Sequence, residues 1–143
     1  MIYLDTSAFI KLYVAEHGSD EVHRLVVAQR EPLPVWSFLE LEFLNALRFK
    51  VFLGEMTSGD VERLTSLYVG RKRTGQYFTP NLDPNALHEL SLQMTVHTPK
   101  LGCRSLDILH VAAARMIEAS LFLTADRRQS ELAQAEGLPV NVV

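Results

Sequence analysis

Short apolar runs alternate along the chain with longer stretches in which apolar residues recur at helical spacing. The runs at residues 2–4, 33–36, 121–124 and 140–143 predict β-strands, and residues 76–79 predict a short fifth strand. Short apolar strands separated by helices are typical of parallel sheets that are covered on both faces. We therefore expect an α/β fold with a short central parallel sheet and helices on both faces.

Helix boundaries follow from capping residues and helix breakers. One helix is predicted to begin after Asp5 and another after Ser19, and the remaining helices are predicted at residues 38–53, 61–69, 84–96, 106–119 and 127–136. Ser19, Ser37 and Ser105 are predicted N-caps, because a serine hydroxyl accepts a hydrogen bond from a free N–H of the first turn. The basic run at residues 71–73 is predicted to end a helix, and residues 98–104 are predicted to form a loop.

Length and composition narrow the class of protein. The 143 residues indicate one domain, residues 1–143. The net charge of -3 argues against a protein that holds nucleic acid by bulk positive charge, but it permits an enzyme whose acids are gathered in one place. Cys103 is the only cysteine, which suits a reducing cytoplasm. Because no apolar run approaches the roughly 20 residues that span a bilayer, and Asp5 interrupts the first run, we expect neither a membrane segment nor a signal peptide.

Three aspartates lie at positions where a carboxylate can bind a ligand or a metal. Asp5 and Asp126 each follow a predicted strand, at the edge of the sheet where open α/β folds bind ligands. Either of them can instead cap the helix that follows. Asp107 lies in the first turn of a helix that is apolar nearly all round, where a buried carboxylate is costly unless it is capped, paired or bound to a metal.

The fourth acid is Glu40 or Glu42. Each shares its helical face with apolar residues, so periodicity does not choose between them, and either can be a solvated helix residue. Carboxylates that crowd together repel each other and take up protons, and a divalent cation removes that repulsion. Because the sequence has no cysteine cluster and no histidine pair, oxygen ligands favour Mg²⁺ or Mn²⁺ over zinc.

The order of four short motifs resembles the PIN-domain nucleases, and the size and compactness of the chain look most like their VapC toxins. The motifs are D-T-S after the first strand, E-x-x-N-A-L in a middle helix, L-D-I-L-H-V-A-A-A, and L-T-A-D-R-R before the last helix. The resemblance covers essentially the whole chain and implies a PIN-like three-layer fold. It implies that Asp5, Glu42, Asp107 and Asp126 bind one or two Mg²⁺ or Mn²⁺ ions, and E-x-x-N-A-L selects Glu42 over Glu40.

The resemblance also implies an activity and partners. It implies a metal-dependent endoribonuclease, a toxin that hydrolyses RNA phosphodiesters, with a small VapB-like antitoxin as partner and a homodimeric state. Thr6, with Ser7 as second choice, matches the hydroxyl that follows the first acid, and Thr124 matches the hydroxyl before the last acid. Basic residues would hold the RNA, and the first candidates beside the acid motifs are Arg104, Arg127 and Arg128, followed by Lys11 and residues 71–73.

Other interpretations of these residues stay open. A receiver-like phosphoacceptor domain would need an acidic pair after the first strand and an acceptor aspartate after a central strand, whereas Thr6 follows Asp5 and P-V-W-S contains no acid. A non-catalytic PIN-like interaction module would not need four acids. His110, three residues after Asp107, is predicted to be a packed residue or one that supports the acids. Phe38, Phe43, Phe49 and Phe52 can form either core or a surface for a partner.

Overall fold

The computed structural model describes residues 1–143 and contains five short strands. They are β1 (Ile2–Leu4), β2 (Leu33–Pro34), β3 (Tyr77–Phe78), β4 (Leu121–Thr124) and β5 (Val140–Val142). β4 lies between β1 and β5 in a three-stranded parallel sheet, with Leu4 opposite Leu123 and Thr124 opposite Val142. β2 and β3 form a second parallel pair, and β2 packs beside β1. The predicted parallel α/β architecture is confirmed.

Eight α-helices connect and cover the strands. They are α1 (Thr6–Phe9), α2 (Ser19–Gln29), α3 (Ser37–Phe52), α4 (Ser58–Arg73), α5 (Pro84–Met94), α6 (Thr98–Leu101), α7 (Ser105–Met116) and α8 (Arg127–Ala135), with 3₁₀ turns at Ile10–Leu12 and Thr95–His97. Tyr3, Leu4, Phe122 and Leu123 are fully buried. Because successive side chains of a strand point to opposite faces, this burial shows that both faces of the sheet are covered. No helix combines the length and the apolar character that crossing a bilayer requires.

Three predicted serine caps are wrong by one residue. Ser19, Ser37 and Ser105 are the first residues of their helices, and the N-cap positions belong to Gly18, Trp36 and Arg104. Gly18 has a φ of 83°, a left-handed conformation that glycine adopts without strain. The Ser19 hydroxyl instead donates to the carbonyl of Val14 and accepts from the N–H of Glu16, so it closes the preceding loop.

Two helical segments differ from the prediction. α4 is longer than predicted because Thr57 and Asp60 form a reciprocal capping box at its start. At its other end the basic residues at 71–73 lie inside the last turn, where their positive charge interacts favourably with the negative end of the helix dipole. Residues 98–104 contain the short helix α6 rather than only a loop, since Pro99 suits a first helical turn and Gly102, with a φ of 65°, ends it.

The phenylalanines of α3 divide between core and surface. Phe43 is fully buried and Phe38 is partly buried against the core. Phe49 and Phe52 are 55% and 80% exposed, and their rings stack with centroids 5.6 Å apart. The last two residues therefore form a small apolar patch on the surface of this protein.

Candidate active site

A cavity of about 150 Å³ lies at the carboxyl ends of β1 and β4. The Asp5 N–H donates to the carbonyl of Leu123 at 3.1 Å, which fixes the end of β1 against β4, and Asp126 follows β4 after one intervening residue. Parallel strands end at the same edge of a sheet, so both aspartates arrive together. The residues that line the cavity are Asp5, Thr6, Ser7, Glu42, Leu106, Asp107, His110, Asp126 and Gln129.

Asp5 is buried at the base of this cavity and caps α1. Its Oδ1 accepts from the N–H of Ala8 at 2.8 Å, and its Oδ2 accepts from the hydroxyl of Thr124 at 2.6 Å. The hydroxyl of Ser7 donates to the same carboxylate and accepts from the N–H of Ala125. Burial raises the pKa of Asp5 and outweighs the nearby His110 and the hydrogen bonds, which lower it. Thr124 lies beneath the cavity and orients Asp5 without lining the cavity itself.

Glu42 reaches the cavity from α3. Its Oε2 accepts a hydrogen bond of 2.6 Å from the hydroxyl of Thr6 and one of 2.5 Å from Nε2 of His110. Burial raises the pKa of Glu42, but the hydrogen bonds from His110 and Thr6 outweigh burial, and the pKa is lowered. The Oε1 atom makes no hydrogen bond within the protein and remains available to a ligand.

Glu40 leaves α3 in a different direction and does not line the cavity. Its Oε1 accepts from the hydroxyl of Tyr68 and from the ammonium of Lys72, each at 2.9 Å. Both partners belong to α4. The structure therefore places Glu42, and not Glu40, with the three aspartates.

Asp107 and Asp126 both cap helices and line the cavity. Asp107 Oδ2 accepts from the N–H of Arg104 at 2.8 Å, and Asp126 Oδ1 accepts from the N–H groups of Arg128 and Gln129. In each carboxylate the other oxygen has no hydrogen bond within the protein. The cap and site interpretations of these two residues are thus compatible, because each role uses a different oxygen.

The donor set fits a hard divalent cation, although the carboxylates stand apart. The cavity offers four carboxylates and two hydroxyls, the oxygen ligands that Mg²⁺ and Mn²⁺ favour. In this arrangement no three His, Cys, Asp or Glu side chains are close enough together to hold a metal ion. The free oxygens of Glu42, Asp107 and Asp126 would have to draw closer to share one cation.

Three of the four predicted RNA-binding residues are exposed beside the acids. Arg104 precedes α7, the helix whose first turn contains Asp107. Arg127 and Arg128 begin α8 and directly follow Asp126. Arg127 also pairs with Glu131 one turn along α8. The structure does not place Lys11 with them, because Lys11 is buried and donates to the carbonyl of His17. The basic residues of α4 do not line the cavity either.

Two buried aromatic residues, Tyr3 and Trp36, lie behind the cavity, and their role was not predicted from the sequence. The indole N–H of Trp36 donates to the hydroxyl of Tyr3 at 2.8 Å, and that hydroxyl lies 2.7 Å from Nδ1 of His110. As predicted, His110 packs in the core and contacts one of the acids. The only signal in the sequence is general, because a buried tyrosine or tryptophan usually finds a hydrogen-bond partner.

The solved structures include a match over nearly the whole chain. FitAcB from Neisseria gonorrhoeae aligns with 98% of this chain and 96% of its own, with a TM-score of 0.60 and 13% sequence identity. The chain has a PIN-like α/β fold. Comparisons with protein-family models and with curated protein sequences found no match. At 13% identity the similarity is one of fold, and the roles of individual residues rest on the cavity itself.

Proposed function

We propose that this protein is a metal-dependent endoribonuclease of the VapC type. The observation that carries the proposal is that Asp5, Glu42, Asp107 and Asp126, which come from four separate segments, line one cavity at the carboxyl edge of the sheet. A PIN-like fold supports it, since this edge is where open parallel sheets place their sites. A receiver-like domain is disfavoured, because Thr6 occupies the place of a second acid and donates to Glu42.

The four carboxylates would hold Mg²⁺ or Mn²⁺. When bound, such an ion supplies Lewis-acid activation of water and neutralises charge on the phosphoryl oxygens. The hydroxyls of Thr6 and Thr124 serve the site by fixing carboxylate oxygens, Thr6 on Glu42 and Thr124 on Asp5. Each hydroxyl donates its hydrogen to a carboxylate, so neither can donate it to RNA while that hydrogen bond is kept.

The exposed arginines would bind the RNA backbone at the rim of the cavity. Arg104 is the N-cap of the helix that contains Asp107, and Arg127 and Arg128 directly follow Asp126. Arginine suits phosphate because its planar group can donate two hydrogen bonds at once. We retain Lys11 as a weaker candidate, because it would have to leave its buried contact with the His17 carbonyl to reach a phosphate.

We also propose a toxin role with a small VapB-like antitoxin, a homodimeric state and a cytoplasmic location. These follow from the motif resemblance, and the exposed pair Phe49 and Phe52 offers apolar surface of the kind that protein partners cover. Light scattering tests the homodimer, with an expected mass of twice the 16.1 kDa of the chain. A mass of a single chain at micromolar concentration would contradict it.

The activity is tested with purified protein and a structured RNA. Cleavage is expected with Mg²⁺ or Mn²⁺, is expected to stop in EDTA, and is expected to disappear in Asp107→Asn. That variant keeps an oxygen for the N–H of Arg104, so its fold should be retained and circular dichroism provides the control. Full activity of Asp107→Asn would show that this residue is misassigned, and absence of cleavage by wild-type protein on any RNA would refute the proposal.

A further inference from the structure

A chain of buried hydrogen bonds runs from the core to Glu42. The Trp36 indole nitrogen is 2.8 Å from the Tyr3 hydroxyl, that hydroxyl is 2.7 Å from His110 Nδ1, and His110 Nε2 is 2.5 Å from Glu42 Oε2. Trp36, Tyr3 and His110 are 8%, 0% and 3% exposed. The chain ends at the one acid of the cavity that comes from α3.

The chemistry of the donors fixes the direction of these bonds. An indole N–H can only donate, so the Tyr3 oxygen accepts from Trp36. Nδ1 of His110 is the one acceptor within reach of the hydrogen of Tyr3. If Nδ1 carried a hydrogen itself, the Tyr3 hydrogen would be buried without an acceptor, at a cost of about 1–3 kcal/mol. Nδ1 of His110 therefore accepts from the Tyr3 hydroxyl, and Nε2 donates to Glu42.

The rings around His110 keep it in this orientation. Tyr3 stacks on Phe122 with centroids 5.5 Å apart and meets the His110 ring edge-on at 5.9 Å. Phe38 lies 5.5 Å from the same imidazole on another side. The imidazole has little freedom to rotate away from Glu42.

We propose that Trp36, Tyr3 and His110 are positioning residues that set the Glu42 carboxylate for a cation. With the Thr6 hydroxyl they direct two hydrogens at Oε2, which leaves Oε1 as the oxygen free for the cavity. Groups that orient a metal ligand in this way typically change metal affinity by about 10–100-fold when they are removed. This inference rests on the proposed metal-dependent function, and none of the three residues needs to touch RNA.

The decisive variant is Tyr3→Phe, with Tyr68→Phe as its matched control. Both remove one hydroxyl from a buried ring, but the Tyr68 hydroxyl donates to Glu40, outside the cavity. In wild-type protein without metal, ¹⁵N NMR of His110 is expected to show hydrogen on Nε2 and a bare Nδ1. Tyr3→Phe is expected to mix the two tautomers and to weaken Mn²⁺ binding by about 10-fold in calorimetry. Tyr68→Phe is expected to change neither the His110 tautomer nor the Mn²⁺ affinity.

A second pair of variants guards against simple loss of packing. His110→Gln keeps an N–H near the position of Nε2, whereas His110→Leu keeps bulk without a donor. The glutamine variant is expected to retain more Mn²⁺ affinity than the leucine variant at equal thermal stability. Equal losses in both, or a Tyr3→Phe variant with an unmixed tautomer and unchanged Mn²⁺ affinity, would overturn the positioning role.

The same samples separate this inference from the proposed function. A hydrogen on Nδ1 in the wild-type spectrum would overturn the hydrogen-bond order while leaving a metal-dependent ribonuclease intact. Wild-type protein that shows the expected tautomer but binds no Mn²⁺ would instead overturn the proposed function, and with it the role of the three residues toward a cation.

Discussion

Asp5 shows how one carboxylate can serve the fold and the site together. It caps α1 through Oδ1, receives the Thr124 hydroxyl on Oδ2, and still lines the cavity. The sequence presented capping and metal binding as alternatives for Asp5, because neither the burial nor the partner from β4, 119 positions away, can be derived from local pattern. The same limit explains why Tyr3 was predicted only as a strand residue.

We predict that Asp5→Asn is at least as stable as wild type at pH 7 in EDTA. Burial raises the folded-state pKa of Asp5, so its contribution to stability is largest below the unfolded-state pKa and is lost as pH rises through the folded-state pKa. Asparagine carries no charge and still caps α1. Urea denaturation at pH 7 and pH 4 measures this, and the advantage of the variant should shrink at pH 4.

A variant that is clearly less stable than wild type at both pH values would contradict this account of Asp5. Cleavage of RNA by the same Asp5→Asn protein should be abolished, because the site loses a charged ligand while the fold stays intact. The two measurements together distinguish a site residue from a purely structural cap.

The two acids of α3, Glu40 and Glu42, point in different directions. Glu40 and Glu42 are two positions apart, which on a helix is about 200° of rotation, so one pairs with α4 and the other reaches the cavity. Helical periodicity alone did not choose between them, and the choice came from the E-x-x-N-A-L motif. The structure now gives the physical reason, since Lys72 and Tyr68 already hold Glu40.

We predict that Glu42→Gln and Glu40→Gln have unequal effects. Glu42→Gln should reduce RNA cleavage by at least about 100-fold, beyond the usual effect of losing a group that only orients a ligand. Glu40→Gln breaks a partly exposed ion pair worth at most about 1 kcal/mol and should leave cleavage unchanged. Initial rates at saturating Mn²⁺, with Mn²⁺ titration of both proteins, provide the comparison. A larger loss in Glu40→Gln would reverse the assignment.

At the level of elements, the sequence predicted what depends on apolar patterning. All five strands and α3 were located to within about two residues, because buried strands and long apolar helices have strong patterns. The start of α4 and the whole of α6 were missed. Both depend on local side-chain and backbone hydrogen bonds, at Thr57 with Asp60 and at Gly102, that hydrophobic spacing does not encode.

At the scale of the molecule, the positions of the charged residues matter more for the site than the net charge does. The net charge is -3, yet three exposed arginines, Arg104, Arg127 and Arg128, stand within three residues of Asp107 or Asp126 in the chain. A cation would offset the repulsion among those acids, and the arginines would meet the phosphates of the substrate. His110 is the one histidine that lines the cavity. The cavity therefore holds no histidine pair of the kind that metal-independent ribonucleases often use as general acid and base.

This arrangement predicts that water, and not the 2′-hydroxyl of the RNA, is the nucleophile. Attack by water with the 3′ oxygen as leaving group gives a 5′-phosphate and a 3′-hydroxyl, whereas attack by the 2′-hydroxyl gives a 2′,3′-cyclic phosphate and a 5′-hydroxyl. A single 2′-deoxy substitution at the cut site should therefore slow cleavage without preventing it. EDTA should stop the reaction.

The most direct test is to identify the ends of an end-labelled RNA cut by the purified protein with Mg²⁺ or Mn²⁺. Our account predicts new 5′-phosphate and 3′-hydroxyl ends, formed by wild type and by Glu40→Gln but not by Asp5→Asn or Glu42→Gln. A 2′,3′-cyclic phosphate, or cutting that continues undiminished in EDTA, would contradict the metal-dependent hydrolysis proposed for this cavity.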